Sequence, residues 1–518
     1  MFVPVLSCSE AKAFEKEFFA RGETTEASAM NAAGTGVGDG VLRECGGNAA
    51  ISRLLVLAGK GHNGGDAVRA ATRIFSRTSC RVMLVFFADS LEKLAPLTRG
   101  LLEEFVAAVP EDKRSVALLT ESTPALPPEI AAFAAAPHVL LDGMFGHSFR
   151  PPFPPRALRF VREILAARAE GSPVCAVDLP SGLCDAGAAE CPFRADFTFP
   201  TGILKRPVVD FHERCGRVVP VGVGFSGFGG SALAAADESF FLKKIFAPRP
   251  VLCDKRDFGH VLIVGGSRAM PGALMLNALA ALRAGAGLVS VICPERVQAA
   301  FAARAPGAMW IPCEENPDGG LDCDRAFAEA ERLFPRVGAV LCGSGMGVSD
   351  GAQALVAKIV AGTPRGIPLI LDADALRPAA LAVLRERAAP PENAILLPHA
   401  GEFARLGGNA SDLRGFCRGS GVTLALKGAC TRVADASGEL FTFSGCPALA
   451  RGGSGDVLAG TVAALFASPK NYDVSAPARE RLAAAVVWHG NASRRLAAAQ
   501  GERCADVSAL PDFLLSRG

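Results

Sequence analysis

Short apolar runs, unbroken by polar residues and many of them ending in Gly or Asp, constrain this chain more than any other feature. One series comprises Leu54–Leu57, Arg81–Phe87, Val139–Leu141, Val174–Val177 and Val218–Val223. A second comprises His260–Val264, Leu288–Ile292, Ala339–Leu341, Leu369–Leu371, Ala394–Leu397 and Val422–Leu426. A strand with one solvated face alternates polar and apolar residues. Strands that are apolar throughout are buried on both faces, as in parallel sheets covered by helices. Ala-rich stretches of helical composition separate the runs, which gives the strand–helix alternation of α/β folds.

The chain has 518 residues, half of them apolar, which is ample for more than one core. Between the two series lies Gly222–Ser239, rich in Gly and Ser and weakly patterned. A domain boundary is expected there, near residue 230, giving domains 1–230 and 231–518. The halves show no repeat of each other, so the expectation is a fusion of two different α/β domains. Lys plus Arg (54) nearly balances Asp plus Glu (52). That excludes a general basic field for nucleic acid and leaves room for a local anion site. The sixteen cysteines are scattered without a CxxC, several inside apolar runs such as Val291–Cys293. They read as small buried hydrophobes of a reducing compartment. The start, MFVPVLSCSEAKAFEKEF, lacks the basic and apolar regions of a signal peptide, and no membrane-length apolar stretch follows. The expected location is the cytoplasm, with no membrane partner.

In the first half, the run Leu54–Ala58 leads into Gly59-Lys60-Gly61-His62-Asn63-Gly64-Gly65-Asp66 and a helix expected over Ala67–Phe75. A strand, a glycine-rich turn and a helix N-terminus together expose backbone N–H groups to a phosphate. The loop is neither GxGxxG nor GxxxxGK[ST], so the dinucleotide and P-loop fingerprints do not apply. The plainer alternative is that Asp66 caps the helix and the glycines turn the chain. Two more runs end in a carboxylate: Val139–Leu141 in Asp142-Gly143-Met144-Phe145-Gly146, and Val174–Val177 in Asp178-Leu179-Pro180-Ser181-Gly182. Ligands of parallel α/β sheets gather beyond such strand ends. Oxygens from Asn63, Asp142 and Ser181 suit a hard or large monovalent cation.

In the second half, His260–Val264 ends in Gly265-Gly266-Ser267, and Pro271-Gly272-Ala273 opens the following helix. Further strand ends are Cys342–Gly347, Asp372-Ala373-Asp374, Pro398-His399-Ala400-Gly401-Glu402 and Lys427-Gly428-Ala429. The sharpest element is Arg451-Gly452-Gly453-Ser454-Gly455-Asp456. Small residues at a helix start leave N–H groups to stabilise a transferring phosphoryl group. The adjacent Asp456 can take the proton of an attacking hydroxyl. The plainer alternative is an ordinary capped helix.

GKGHNGGDA, LDGMFGHSF and AVDLPSGL resemble the epimerase domain of the NAD(P)H-hydrate repair enzymes, with its GNNGGDG-, VDALFGTG- and VDIPSG-type segments. Ala195–Phe199 with Lys205 resembles the family's late ADxTxTF…K segment. The resemblance implies a Rossmann-like three-layer fold with K⁺ held by Asn63, Asp142 and Ser181. It makes Asp178 the acid/base, and it makes His62, Asn63, Gly64, Gly65, Asp66, Gly146, His147, Ser148, Phe149, Arg150 and Asp178 substrate contacts. His62 stands where Asn is usual, and Ala67 where Gly is usual. HVLIVGGS…PGA, LDADAL, LPHAGE, LKGA and GGSGDVLAG resemble the ribokinase-like dehydratase domain of the same repair pathway. That resemblance implies a second three-layer α/β sandwich. It makes Asp456 catalytic, Ala273, Gly345, His399 and Asp456 substrate contacts, and Lys427, Gly428, Ala429, Cys430, Thr431 and Gly455 contacts to ADP or ATP, with Mg²⁺ beside the phosphates. Arg451 replaces the small or hydroxyl residue common before GGxGD.

The reading that follows is a bifunctional enzyme. One domain interconverts the R and S epimers of NADH or NADPH hydrated at C6 of the nicotinamide ring. The other dehydrates the S form with ADP or ATP. A homo-oligomer is expected. The rivals are a vitamin-precursor kinase carrying a non-catalytic N-terminal ligand-binding domain, and a first half that serves only as a binding or scaffold module.

Overall fold

The computed structural model describes residues 2–45, 51–225, 232–235, 239–245, 249–386, 394–468, 470 and 476–515. The chain divides into two compact units, Met1–Asp237 and Glu238–Gly518. Residue 230, the expected boundary, lies outside the described residues, as does most of Gly222–Ser239.

The first unit contains β1 (Phe2–Leu6), β2 (Arg53–Gly59), β3 (Arg81–Phe87), β4 (Arg114–Leu119), β5 (Val139–Gly143), β6 (Val174–Val177), β7 (Phe197–Phe199), β8 (Leu204–Lys205), β9 (Arg217–Val218) and β10 (Ala232–Ala235). Its main sheet runs β4-β3-β2-β5-β6-β7-β9, parallel throughout. The unbroken apolar runs are explained by burial on both faces. Leu54 and Val56 pack with Val37, Val41, Val68 and Ile74 of two helices, while Leu55 and Leu57 between them are also fully buried. β1 pairs antiparallel with β10 and parallel with β8.

Two expectations need correction. Val218–Val223 is not a strand beyond Val218, because Pro220 has no N–H to give the ladder; Val221 forms only an isolated bridge with Thr201. The helix expected from Ala67 starts at His62 and runs to Thr78, with Gly61 as its cap. Tertiary packing overrides the glycines' poor helix propensity: Gly64 and Gly65 are buried, and Thr98 Oγ1 donates to the Gly61 carbonyl at 3.0 Å. Asp66 is therefore inside the helix and does not cap it.

The second unit adds β11 (His260–Val264), β12 (Leu288–Pro294), β13 (Met309–Cys313), β14 (Ala339–Cys342), β15 (Leu369–Leu371), β16 (Ala394–Leu396), β17 (Thr423–Leu426), β18 (Thr431–Ala434) and β19 (Glu439–Thr442). They follow the order β13-β12-β11-β14-β15-β16-β17-β18-β19. β11 through β17 are parallel. β17, β18 and β19 are antiparallel, which departs from the expected all-parallel pattern.

In each sheet the strand order reverses once. In the first unit β3 and β4 lie on one side of β2, and β5 begins the other side. In the second, β12 and β13 lie on one side of β11 and β14 begins the other. Crevices open at the C-terminal ends of the strands flanking such switch points. Both sets of sequence motifs sit there.

Two candidate active sites

In the first unit, the helix His62–Thr78 follows β2, and the adjacent β5 delivers Asp142. Asp142 is completely buried. Its carboxylate accepts from the Ser181 hydroxyl at 2.6 Å, the Ser181 amide at 2.7 Å and the Met144 amide at 3.3 Å. Burial pushes its pKa up to about 7 despite the Ser181 bonds. Asn63, in the first helical turn, has a buried Nδ2 without a hydrogen-bond partner.

Gly146 lies close to two polar side chains of the site. A Cβ placed there would lie 3.0 Å from Asp178 Oδ2 and 3.1 Å from Asn63 Oδ1, so any larger residue would press on both side chains. We expect Gly146→Ala to lower the activity of this site at least tenfold with little change in melting temperature. A rate assay beside a thermal melt checks this.

Asp178 follows β6 with φ at +66°, a left-handed conformation uncommon for a non-glycine residue. Such strain gathers at functional sites. Its Oδ1 accepts from the completely buried Lys205 ammonium, which also donates to the Thr201 carbonyl at 2.8 Å. Its Oδ2 faces the His147 amide at 3.2 Å and His147 Nδ1 at 3.4 Å. Burial alone would raise the Asp178 pKa, but Lys205 and then His147 outweigh it and hold the carboxyl well below the usual range. Asp66 moves the opposite way: burial and the Asp178 charge push its pKa well up, and its Oδ1 has no partner.

Among the other expected contacts, His62, Ser148 and Arg150 are exposed at the rim. The Phe149 side chain packs between Phe145 and Phe153, at 5.3 and 5.8 Å between ring centres, and so supports the loop. Lys205 is absent from the expected contact set; the late AD…K pattern was its only signal. Glu15 carries no motif at all, yet its Oε2 lies 3.4 Å from His147 Nε2.

In the second unit, Gly266 donates its amide to the Ser344 carbonyl at 2.8 Å across the switch point. Ala273 and Gly345 stand side by side: a Cβ on Gly345 would be 3.0 Å from that of Ala273. His399 caps the helix Ala400–Arg405, its Nδ1 accepting from the Gly401 and Glu402 amides. Lys427 directly follows β17, with Gly428–Cys430 forming the turn into β18, where Thr431 begins the strand. Its ammonium lies 2.8 Å from Asp372 Oδ1 and 4.0 Å from Glu402 Oε2.

The helix Ser454–Ala467 starts from Gly453 at φ +93°, a value that glycine accepts without strain. Its first turn carries Gly455 and Asp456. A Cβ on Gly455 would sit 3.4 Å from Lys427 Nζ and 3.8 Å from Asp372 Oδ2. The helix start, Lys427 and Asp372 thus converge. Burial, then the Asp372 charge, raise the Asp456 pKa to about 6. The completely buried Asn277 donates to the Asp456 carbonyl at 2.7 Å. Asp372 directly follows a buried strand and precedes Ala373 at φ +50°; the sequence marked this carboxylate without giving it a role. Arg451 turns its guanidinium to the Arg503 carbonyl.

The first site can hold a fixed anion beside a cation, with an imidazole in reach. The second can receive a phosphorylated ligand at a helix start, with a carboxylate near neutrality for proton transfer. Among the described residues, no helix is long and apolar enough to cross a membrane.

Comparison with known proteins points the same way. A family model described as NAD(P)H-hydrate dehydratase matches residues 261–511, and one described as the YjeF-related protein N-terminus matches residues 26–207. The bifunctional NAD(P)H-hydrate repair enzyme of Gloeobacter violaceus is 34% identical over 86% of this chain and 84% of its own. That of Moorella thermoacetica is 30% identical over 94% and 91%. Among solved structures, an ADP/ATP-dependent NAD(P)H-hydrate dehydratase from Bacillus subtilis, co-crystallized with ATP/Mg²⁺, is 25% identical over 54% of this chain and 95% of that one, with a TM-score of 0.44. A ribokinase-like superfamily protein from Enterococcus faecalis is 23% identical over 56% and 96%, with a TM-score of 0.47. With relatives aligned along most of both chains and a family model on each unit, this chain belongs to the family of bifunctional NAD(P)H-hydrate repair enzymes.

Proposed function

We propose that the first unit interconverts the C6 epimers of hydrated NADH and NADPH at Asp178, and that the second dehydrates the S epimer with ADP or ATP at Asp456. The observation that carries the reading is the meeting of Asp456, Lys427 and Asp372 at the start of the Ser454–Ala467 helix. Asp456 takes the proton of the C6 hydroxyl as it attacks the terminal phosphate. The Gly452–Gly455 amides and the Lys427 ammonium offset charge on the transferring group. ADP or AMP leaves as the phosphoryl group is transferred; the ring nitrogen's lone pair then expels phosphate from C6, and loss of a C5 proton to water restores the C5–C6 double bond. Mg²⁺ bound with the nucleotide would neutralise charge on its phosphates. Ala273, Gly345 and His399 line the hydrated nicotinamide side, and Lys427–Thr431 with Gly455 line the nucleotide side.

Asn63, Asp142 and Ser181 fit a potassium ion in the first unit. They offer an amide oxygen, a carboxylate and a hydroxyl, and the buried Asp142 charge has no cationic partner among the groups that perturb it. The ion supplies a fixed positive charge that orients the substrate. Because burial raises the Asp142 pKa to about 7, K⁺ affinity should weaken as pH falls below that value and the ligand becomes neutral. We expect the half-saturating K⁺ concentration for epimerisation to be several-fold higher at pH 6 than at pH 8. Asp142→Ala should abolish the K⁺ dependence. A potassium titration at the two pH values checks both.

The reading as a whole is tested with mixed hydrated-NADH epimers and chromatography of both epimers and NADH. Epimer exchange is expected without nucleotide, and conversion of both epimers to NADH with ADP or ATP. A stable phosphorylated product would favour a kinase instead.

A further inference from the structure

Epimerisation at C6 needs two proton transfers of opposite sense. The hydroxyl that leaves must gain a proton, and the water that adds must lose one. Asp178 suits only the second task, because the buried Lys205 ammonium holds it as an anion. A separate acid is required within reach of the same substrate carbon.

We propose that His147 is that acid, and that Glu15, Asp178 and His147 form a proton-transfer set for the first unit's reaction. The inference rests on the epimerase reading above. The His147 ring lies between two carboxylates from distant parts of the chain, Nδ1 3.4 Å from Asp178 Oδ2 and Nε2 3.4 Å from Glu15 Oε2. Each ring nitrogen thus faces a carboxylate oxygen, so the ring can pass a proton at either side. Contacts of this length are usual in unliganded sites and tighten when substrate binds. The ring follows Gly146, which passes between Asn63 and Asp178. Its side chain is 17% exposed and that of Glu15 24%, so the set reaches from the buried Asp178 to solvent. The other ionisable groups that act on this cluster are Lys205, Asp66 and Cys8. Lys205 neutralises Asp178, burial favours the neutral acid at Asp66, and burial favours the neutral thiol at Cys8.

The steps balance. The C6–O bond breaks with its electron pair on oxygen, the ring nitrogen's lone pair closes an N=C6 double bond, and the His147 proton joins the departing hydroxyl as water. A water then adds to the opposite face. An oxygen lone pair forms the new C6–O bond, the N=C6 pair returns to nitrogen, and Asp178 takes the released proton. Transfer from Asp178 to His147 across their contact restores the starting state, with Glu15 holding the ring in place.

The test is the full-length chain with His147→Gln, His147→Ala and Glu15→Gln, measuring kcat and KM for exchange of hydrated-NADH epimers from pH 5 to 9. His147→Gln should lower kcat about 10²-fold, within the span of a lost general acid, with KM changed less than about threefold. The fall in rate on the alkaline side should vanish in the variant, and added imidazole should restore part of the His147→Ala rate. Glu15→Gln should lower kcat about tenfold. Thermal melts confirm that each variant is folded. Near-normal kcat in His147→Gln, or a loss confined to KM, overturns the inference; so does a normal His147→Gln beside an Asp66→Asn that has lost the alkaline fall. A wild-type chain that does not exchange the epimers at all overturns the epimerase reading itself, and that arm is read before any variant.

Discussion

Asp456→Asn should lose dehydration of the S epimer by several orders of magnitude while ADP still binds. General-base catalysis is worth about 10²–10⁴-fold, and the amide has no proton affinity to replace it. The side chain lies in the first turn of the Ser454–Ala467 helix, where its backbone carbonyl is held by Asn277. Geometry should therefore survive the substitution. The same residue sets a pH profile. Its folded pKa is raised to about 6 by burial and Asp372, so the basic form is lost as pH falls through that value. For the wild-type chain, kcat/KM for dehydration should be level above pH 7 and fall about tenfold per unit below pH 6. Asp456→Asn should show only a flat residual rate. Near-normal NADH formation by the variant would remove Asp456 from the chemistry.

The second large effect is expected at Asp178. Asp178→Asn should stop epimerisation, with a loss of about 10²–10⁴-fold. In the same full-length chain, pure S epimer should still be dehydrated with ADP, because each unit carries its own core and its own strand-end site. The substitution also leaves the buried Lys205 without its anion. Breaking a buried ion pair by removing one partner costs about 3–5 kcal/mol, reduced here because the amide oxygen still accepts from Lys205. A lowered melting temperature is expected for Asp178→Asn, and the double variant Asp178→Asn/Lys205→Met should recover part of it. That recovery separates the charge effect from the catalytic one: stability returns and epimerisation does not. If pure S epimer is no longer dehydrated by folded Asp178→Asn, the two-site reading fails.

Much of this was legible in the amino-acid sequence, for a physical reason. The central strands are buried on both faces, so their residues must be continuously apolar. Arg81–Phe87, Val174–Val177, His260–Val264 and Leu369–Leu371 can be read off residue by residue. Loops at the strand ends repeat compact motifs because backbone amides and small residues are needed wherever a ligand comes close. Strands with exposed positions stayed hidden. Arg114–Leu119 and Met309–Cys313 are partly exposed along their length and carry no unbroken apolar signal. The buried hairpin Thr431–Ala434 and Glu439–Thr442 is too short and too polar in composition to stand out.

Only the tertiary structure could decide what the GHNGGD segment is, because glycine propensity argues for a turn while packing beneath Gly64 and Gly65 makes it the opening of a helix. It alone decided which carboxylates are charged. Asp66, Asp142 and Asp178 look alike in sequence, each beside glycine or a strand end, yet burial raises the first two, at Asp66 against the pull of Lys205, while Lys205 lowers the third. It also brought Glu15, from a helix with no motif, to the far side of the His147 ring. Motifs record what the backbone must do locally. Charge state depends on what is folded against a group from elsewhere in the chain, and no local pattern carries that.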